Sequence, residues 1–85
     1  MHASADPLWN RIRWQCRRGM RELDELLERF MHESYAALDE AGRECLVRLL
    51  GYPDPLLLAW LMGRAVPADR DIACLVRRIR HATAA

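Results

Sequence analysis

The residues best suited to chemistry in this sequence lie close together at positions 17–22. Arg18 and Glu22 are four residues apart, so a helix would bring them together, and Gly19 between them carries no side chain. A guanidinium is a planar, bidentate donor for carboxylates and carbonyls, and Met20 would add an adaptable apolar contact. This combination suits docking onto another protein. The pattern alone favours a simpler interpretation, in which Gly19 ends a helix and Arg18 forms a surface ion pair with Glu22.

Catalysis and metal binding have little support in the sequence. His2, His32 and His81 lie in separate segments, and no histidine or cysteine pair has the i, i+4 or CxxC spacing of a metal or redox site. Ser4 and Ser34 lack the glycines of a nucleophile elbow, and no glycine-rich phosphate loop is present. We therefore expect a protein that is not an enzyme and that has no metal site.

The N-terminal region resembles a nucleic-acid-binding segment in composition, because arginines alternate there with Trp9 and Trp14. Residues 1–21 hold five arginines and one aspartate, but residues 22–44 hold eight acids and two arginines, which would repel a polyanion. The formal net charge of the chain is only +1. We therefore expect no nucleic-acid partner. The arginines of this cluster are Arg11, Arg13, Arg17, Arg18 and Arg21.

Length and composition predict a single folded domain over residues 1–85, with an ordered core at about 8–81 and short flexible termini. The chain is 52% hydrophobic and 29% charged, as in folded soluble proteins. The longest apolar run, residues 56–62, is far shorter than the roughly 20 residues that span a bilayer. Residues 1–7 carry no targeting signal. We therefore expect no membrane insertion and a cytoplasmic location.

The three cysteines, Cys16, Cys45 and Cys74, form an odd set without a close pair. Such a set is not a disulfide framework, and it indicates a reducing compartment. We expect all three to be small buried residues on helix faces. Cys45 and Cys74 each begin a Cys-Leu-Val-Arg tetrapeptide, which predicts two similar amphipathic helices rather than a true repeat.

Helical periodicity recurs five times and strand alternation does not occur, so the sequence predicts an all-α, five-helix bundle. The predicted helices cover residues 8–17, 20–35, 40–50 and 55–62, and a fifth follows residue 69 and frays into the small residues 82–85. Pro55 fits the first position of the fourth helix. The predicted N-caps are Asp39, Asp54 and Asp69, and the predicted terminating glycines are Gly19, Gly51 and Gly63.

The first, second, third and fifth predicted helices each have an apolar face that would form the core. Trp14 lies off the apolar face of the first helix. The predicted core residues are Trp9, Ile12 and Cys16, then Leu23, Leu26, Leu27, Phe30 and Met31, then Cys45, Leu46, Leu49 and Leu50, and finally Ile72, Leu75, Val76 and Ile79.

Arg18, Gly19 and Glu22, preceded by Trp14 and Arg17, resemble the RGxxE signature of the succinate dehydrogenase assembly factor family, whose members are flavinylation factors. Further short motifs follow in the family's order and with compatible spacing, so that the resemblance covers roughly residues 11–80. These motifs are Arg48-Leu49-Leu50, Asp54-Pro55, Trp60-Leu61-Met62 and Pro67-Ala68-Asp69.

The resemblance implies a five-helix bundle that binds the flavoprotein subunit of succinate dehydrogenase or fumarate reductase. It implies that the chain promotes covalent attachment of FAD to a histidine of that subunit. The FAD would be carried by the partner, and no cofactor would be tightly bound here, since the chain has no GxGxxG motif. The implied partner-binding residues are Arg17, Arg18, Gly19, Met20 and Glu22.

The free protein is expected to be a monomer. Two other functions remain as alternatives at this point: a helical protein-interaction module of antitoxin-like or regulatory type, and a weak nucleic-acid binder.

Overall fold

The computed structural model describes the backbone of residues 7–84 and the side chains of residues 7–81. That part of the chain contains α-helices and no strand, which confirms the predicted all-α bundle. A short 3₁₀ turn, Tyr35–Ala37, separates the second helix from the third. The helices are α1 (Pro7–Gln15), α2 (Arg21–Glu33), α3 (Glu40–Leu49), α4 (Asp54–Leu61) and α5 (Arg70–Ala84).

Helix α5 is the centre of the bundle, because it packs against α2, α3 and α4. Its predicted apolar face is fully confirmed, and each of its four residues is at most 5% exposed. Burial of a large aliphatic side chain stabilises a fold by about 1.5–3 kcal/mol, so this face holds three neighbouring helices together. The four residues are Ile72, Leu75, Val76 and Ile79.

The apolar faces of the other helices supply the rest of the core. On α2 the predicted face is buried, except that Leu26 is only half-buried and packs against the core. On α1, Trp9 and Ile12 are buried, and Cys16 is buried just beyond the end of the helix. Trp14 is 72% exposed, as its position off the apolar face predicts.

Two of the predicted N-caps are confirmed. Oδ1 of Asp39 accepts the N–H of Gly42 at 2.8 Å and so caps α3. Oδ1 of Asp69 accepts the N–H groups of Asp71 and Ile72 at 2.8 and 3.2 Å, and it therefore caps the first turn of α5.

Gly63 ends α4 as predicted. Its φ of +77° is in the left-handed region that favours glycine. The N–H of Gly63 bonds to the carbonyl of Trp60, and the N–H of Arg64 bonds to the carbonyl of Ala59. These two bonds form a Schellman motif, which satisfies carbonyls that the helix end would otherwise leave unpaired. Gly51 follows the C-cap of α3, Leu50, and does not have a positive φ.

Several predicted helix boundaries are wrong by one or two residues. Helix α1 ends at Gln15, so Gly19 lies within the connecting turn and not at the C′ position. Helix α2 starts after Met20, and Tyr35 belongs to the separate 3₁₀ turn. The larger error concerns Asp54, which is the first residue of α4 rather than its cap. A tertiary contact of Asp54, described below, explains this difference.

The prediction for the cysteines is correct at two positions and wrong at the third. Cys16 and Cys45 are buried, whereas Cys74 is exposed. The two Cys-Leu-Val-Arg segments also differ, since Val47 is 41% exposed and Val76 is 5% exposed. Helices α3 and α5 contact the core through different faces, so the matching positions of the two tetrapeptides have different surroundings.

The C-terminal end of the described chain is helical. Helix α5 continues to Ala84, so the helix does not end at the small residues from 82 onwards. Residues 1–6 and residue 85, where flexible termini were expected, lie outside the described residues. Among the helices that are described, none combines the length and the apolar character needed to cross a bilayer.

We predict that Asp69→Ala destabilises the chain at neutral pH and that this loss shrinks in acid. The N–H of Ile72, with further help from the N–H of Asp71 and from Arg48, holds the pKa of Asp69 below its ordinary value of 3.8. A lowered pKa stabilises the fold above the ordinary value, and the stabilisation is lost as the pH falls through the folded-state pKa.

Urea unfolding of both chains across this pH range measures the difference. Asp71→Ala is the matched control, because it removes a carboxylate from the same helical turn without removing the cap. A difference between Asp69→Ala and the natural chain that stayed constant down to the acid limit would contradict the prediction.

Candidate partner-binding site

The guanidinium of Arg18 is directed into the protein. Its Nε donates to Oδ1 of Asp54 at 2.8 Å, and its Nη2 donates to the carbonyl of Tyr52 at 3.3 Å. Its Nη1 donates to the carbonyl of Gln15 at 2.7 Å. The Arg18 side chain is only 16% exposed. Arg18 therefore joins the end of α1 to the segment that leads into α4.

This arrangement replaces the predicted ion pair between Arg18 and Glu22, which is not formed. It also explains why Asp54 is not an N-cap. The bond from the Arg18 guanidinium pairs the Asp54 carboxylate with a full positive charge, whereas a helix N–H is a neutral donor. The Asp54 carboxylate therefore bonds to Arg18. Its negative charge, in the first turn of α4, also interacts favourably with the helix dipole.

The backbone of the turn between α1 and α2 is held by Asp24. Its Oδ1 accepts the N–H of Arg18 at 2.8 Å, and its Oδ2 accepts the N–H of Gly19 at 3.2 Å. The N–H of Asp24 in turn donates to the carbonyl of Met20 at 2.8 Å. One carboxylate thus fixes two consecutive peptide groups, and the turn has a single defined conformation.

Gly19 is the position in this turn at which the residue type is most restricted. Its φ of +83° is disfavoured by about 1–2 kcal/mol for residues with a Cβ atom, although asparagine tolerates it better. Apart from its two chain neighbours, no atom of the described residues would lie within 4 Å of a Cβ atom built on Gly19. The glycine is therefore required by the backbone conformation, and its exposed face is open to another molecule.

Exposed side chains flank the turn. The guanidinium of Arg17 lies 5.5 Å from the ring centre of Trp14, and both residues are exposed. Such an exposed cation–π contact contributes about 0.5–1 kcal/mol and orients both groups. Met20 is half-buried and packs against the core.

Glu22 lies on the other side of the turn, in the first turn of α2. It is exposed, and it makes no ion pair with any residue that the structure describes. Glu22 lines a surface depression of about 250 Å³ together with Leu26, Arg29 and Met62. This depression offers an apolar floor beside an unpaired carboxylate.

The basic N-terminal cluster is largely neutralised by acids of the same molecule. Arg13 approaches Glu28 to 3.7 Å, and Arg21 approaches Glu25 to 3.5 Å. Arg18 is paired with Asp54, as described above. These pairs reduce the positive field that a phosphate backbone would need.

The five residues proposed from the sequence thus have different roles within one turn. Arg18 and Met20 are engaged inside the molecule, Gly19 fixes the backbone, and Arg17 and Glu22 are exposed. Sequence reasoning missed the supporting role of Asp24, although an acid soon after a glycine turn was a local signal for it. No comparable signal existed for Asp54, which is 36 positions from Arg18.

Within the described residues, no group of three or more histidine, cysteine, aspartate and glutamate side chains could hold a metal ion. The imidazole of His32 lies edge-on to the ring of Trp9, with 5.8 Å between ring centres. The side chains around the turn therefore either form hydrogen bonds within the chain or lie exposed beside it.

The model of the family described as flavinator of succinate dehydrogenase matches residues 10–83 of the chain. The chain belongs to this family. It is also similar to individual proteins named FAD assembly factor SdhE. The relative from Coxiella burnetii is 45% identical over 71 residues, which cover 84% of this chain and 87% of the relative.

Two further relatives of the same name give a similar result. The protein from Haemophilus ducreyi is 41% identical over 70 residues, covering 82% of this chain and 85% of the relative. The protein from Xylella fastidiosa is 44% identical over 71 residues, covering 84% of this chain and 73% of the relative. The family resemblance read from the sequence is therefore confirmed.

We predict that Arg18 and Asp54 are energetically coupled. Each alanine substitution should cost about 1–3 kcal/mol, because it leaves a partly buried charged partner without its bond. A double-mutant cycle, measured by urea unfolding, should give a coupling of about 1 kcal/mol or more.

Arg21 and Glu25 provide the matched control for this cycle, since they form an ion pair whose side chains are 90% and 69% exposed. Exposed pairs contribute little to stability, so their coupling should be much smaller. Equal coupling in the two cycles would show that Arg18 is not a structural link.

We also predict that Asp24→Ala loosens the turn without unfolding the bundle. The amide hydrogens of Arg18 and Gly19 should exchange faster with solvent, because each loses its carboxylate acceptor. Hydrogen exchange followed by NMR measures this directly. Glu25→Ala is the control, as its side chain pairs only with Arg21 among the described residues. Unchanged exchange at both amides would refute the role assigned to Asp24.

Proposed function

We propose that this chain binds the flavoprotein subunit of succinate dehydrogenase and promotes the covalent attachment of FAD to it. Membership of the flavinator family carries the proposal, and the relatives named FAD assembly factor agree with it. The support from the structure is the turn that contains Arg18, Gly19 and Glu22. Its backbone is fixed from within, while contact groups beside it are exposed.

The proposed role is to position another protein's chemistry. Covalent attachment requires the flavin ring to accept negative charge while an imidazole of the partner attacks it. A helper that holds the flavin domain in the reactive arrangement would raise the rate by removing the entropy cost of orientation. We propose that the chain itself is not an enzyme and that the partner carries the FAD.

The contacts can be divided between support and recognition. Three of the five guanidinium N–H groups of Arg18 bond to Asp54 and two carbonyls, so we propose that the main role of Arg18 is to position the turn. Glu22, Arg17 and the exposed peptide of Gly19 would make direct contact. Met20, which is half-buried, would fix the direction in which the chain enters α2.

We extend the proposal in three respects. Fumarate reductase would be a second client, because its flavoprotein subunit is the other one that the family resemblance implies. The free chain would be a monomer, and it would act in the cytoplasm. Pull-down from a lysate identifies the client, and sedimentation of the purified chain measures its oligomeric state.

The presence of covalent flavin tests the function directly. Denatured extracts of cells with and without this gene are separated on a gel, and flavin fluorescence is recorded from the flavoprotein bands. We expect the succinate dehydrogenase band to lose most of its fluorescence without the gene. An unchanged band would favour a regulatory protein-interaction module instead.

We predict that Glu22→Gln lowers covalent flavin while the free energy of unfolding falls by less than about 1 kcal/mol, the size of an interaction with the helix dipole. Glu22 has no ion pair in the described part of the chain, so the main effect of its loss should be on contacts with a partner. Glu33→Gln is the matched control, because Glu33 is exposed at the opposite end of the same helix.

Gly19→Asn gives a second readout of the same surface. Asparagine tolerates the left-handed backbone, and its side chain would enter the open space in front of the turn. We expect a folded protein with reduced flavin fluorescence of the client. Normal fluorescence with both Glu22→Gln and Gly19→Asn would mean that the turn is not the contact site, even if removal of the gene abolished the signal.

A further inference from the structure

A groove between α3 and α5 brings together two of the three cysteines. It has a volume of about 310 Å³, and it is lined by Cys45 from α3 and Cys74 from α5. Cys45 is buried and Cys74 is exposed. Cys16, near the end of α1, is not among the residues that line the groove. The two Cys-Leu-Val-Arg segments thus each supply one thiol to the same groove, and the proposed function uses neither of them.

We propose that Cys45 and Cys74 form a thiol–disulfide exchange site. A low-molecular-weight disulfide such as oxidised glutathione would oxidise the two thiols to one intramolecular disulfide across the groove. Helices α3 and α5 pack directly against each other, so the two thiols line the same groove from neighbouring helices. The disulfide would bring their Cα atoms to within about 7 Å of each other. This proposal is independent of the role in flavin attachment.

The exchange proceeds in two balanced steps. Cys74, which solvent can reach, attacks one sulfur of the glutathione disulfide, forms a mixed disulfide and releases one glutathione. The sulfur of Cys45 then attacks the sulfur of Cys74, forms the protein disulfide and releases the second glutathione. The two released thiols carry the protons lost by the cysteines, and two electrons pass from the protein to the oxidant.

The surroundings of the groove fit this order of events. Burial raises the pKa of Cys45, and the positive charge of Arg48 acts in the opposite direction. Cys45 is therefore a poor first nucleophile, and it reacts once its target has been brought into the groove. Cys74 is near enough to act electrostatically on Cys45.

The charged residues of the groove also match the oxidant. Arg78 lines it and would bind a carboxylate of a glutathionyl group, and Arg48, whose Nη2 already bonds to Asp69, adds positive charge beside it. Glu44 and Asp71 line it as well and would face the ammonium group. A zwitterionic tripeptide is thus a better match to this groove than a neutral disulfide reagent.

Mass spectrometry of the full, folded chain in glutathione redox buffers tests the proposal. After an acid quench and alkylation of free thiols, the oxidised chain should have lost two hydrogens and should carry one alkyl group. Trypsin then separates residues 44–48 from residues 71–77, and these two peptides should be recovered joined by a disulfide.

Three variants assign the steps. Cys16→Ala should form the same cross-linked peptide as the natural chain, and it is the control for a cysteine outside the groove. Cys45→Ala should stop at the mixed disulfide of Cys74 with glutathione. Cys74→Ala should leave Cys45 reduced under the same conditions, while circular dichroism reports whether each variant is folded.

The peptide map of the natural chain decides the question even if a variant fails to fold. A glutathione adduct on Cys74 without a cross-link, a disulfide between two copies of the chain, or a cross-link that involves Cys16 would each overturn the proposal. Cross-linking that is equally efficient in urea would also overturn it, because the folded groove would then have no part in it.

Discussion

The ion pair between Arg18 and Asp54 is the contact on which the presentation of the turn depends. Arg18 follows α1 and Asp54 opens α4, so their bond joins two parts of the chain that are distant in sequence. A largely buried guanidinium would be costly without a partner, and here a carboxylate and two carbonyls accept three of its five N–H groups. This bond holds the turn before α2 against the start of α4.

The hydrogen bonds from Asp24 complete this support from the other side. They fix the peptide groups of Arg18 and Gly19, while the left-handed conformation of Gly19 leaves its outer face open. A recognition element that is rigid before it binds loses less conformational entropy on binding. The same internal bonds that occupy Arg18 therefore make its neighbours better contact groups.

Basic and acidic side chains of this molecule form ion pairs with each other. The basic segment around α1 lies against the acidic face of α2, as the contact of Arg13 with Glu28 shows. The central helix α5 presents one apolar face to three other helices, and its remaining surface is free to form the groove that holds Cys74. The turn before α2 and the groove with its two cysteines thus occupy separate parts of a small bundle.

The sequence by itself determined the number of helices, their apolar faces and two of their caps, because periodicity and capping depend on residues a few positions apart. It also identified the segment from Arg17 to Glu22 and its family. Only the tertiary structure decided that Arg18 pairs with Asp54 rather than Glu22, and that Cys74 is exposed. Those outcomes depend on which helices meet and through which faces, and residues 36 positions apart carry no local signal of their contact.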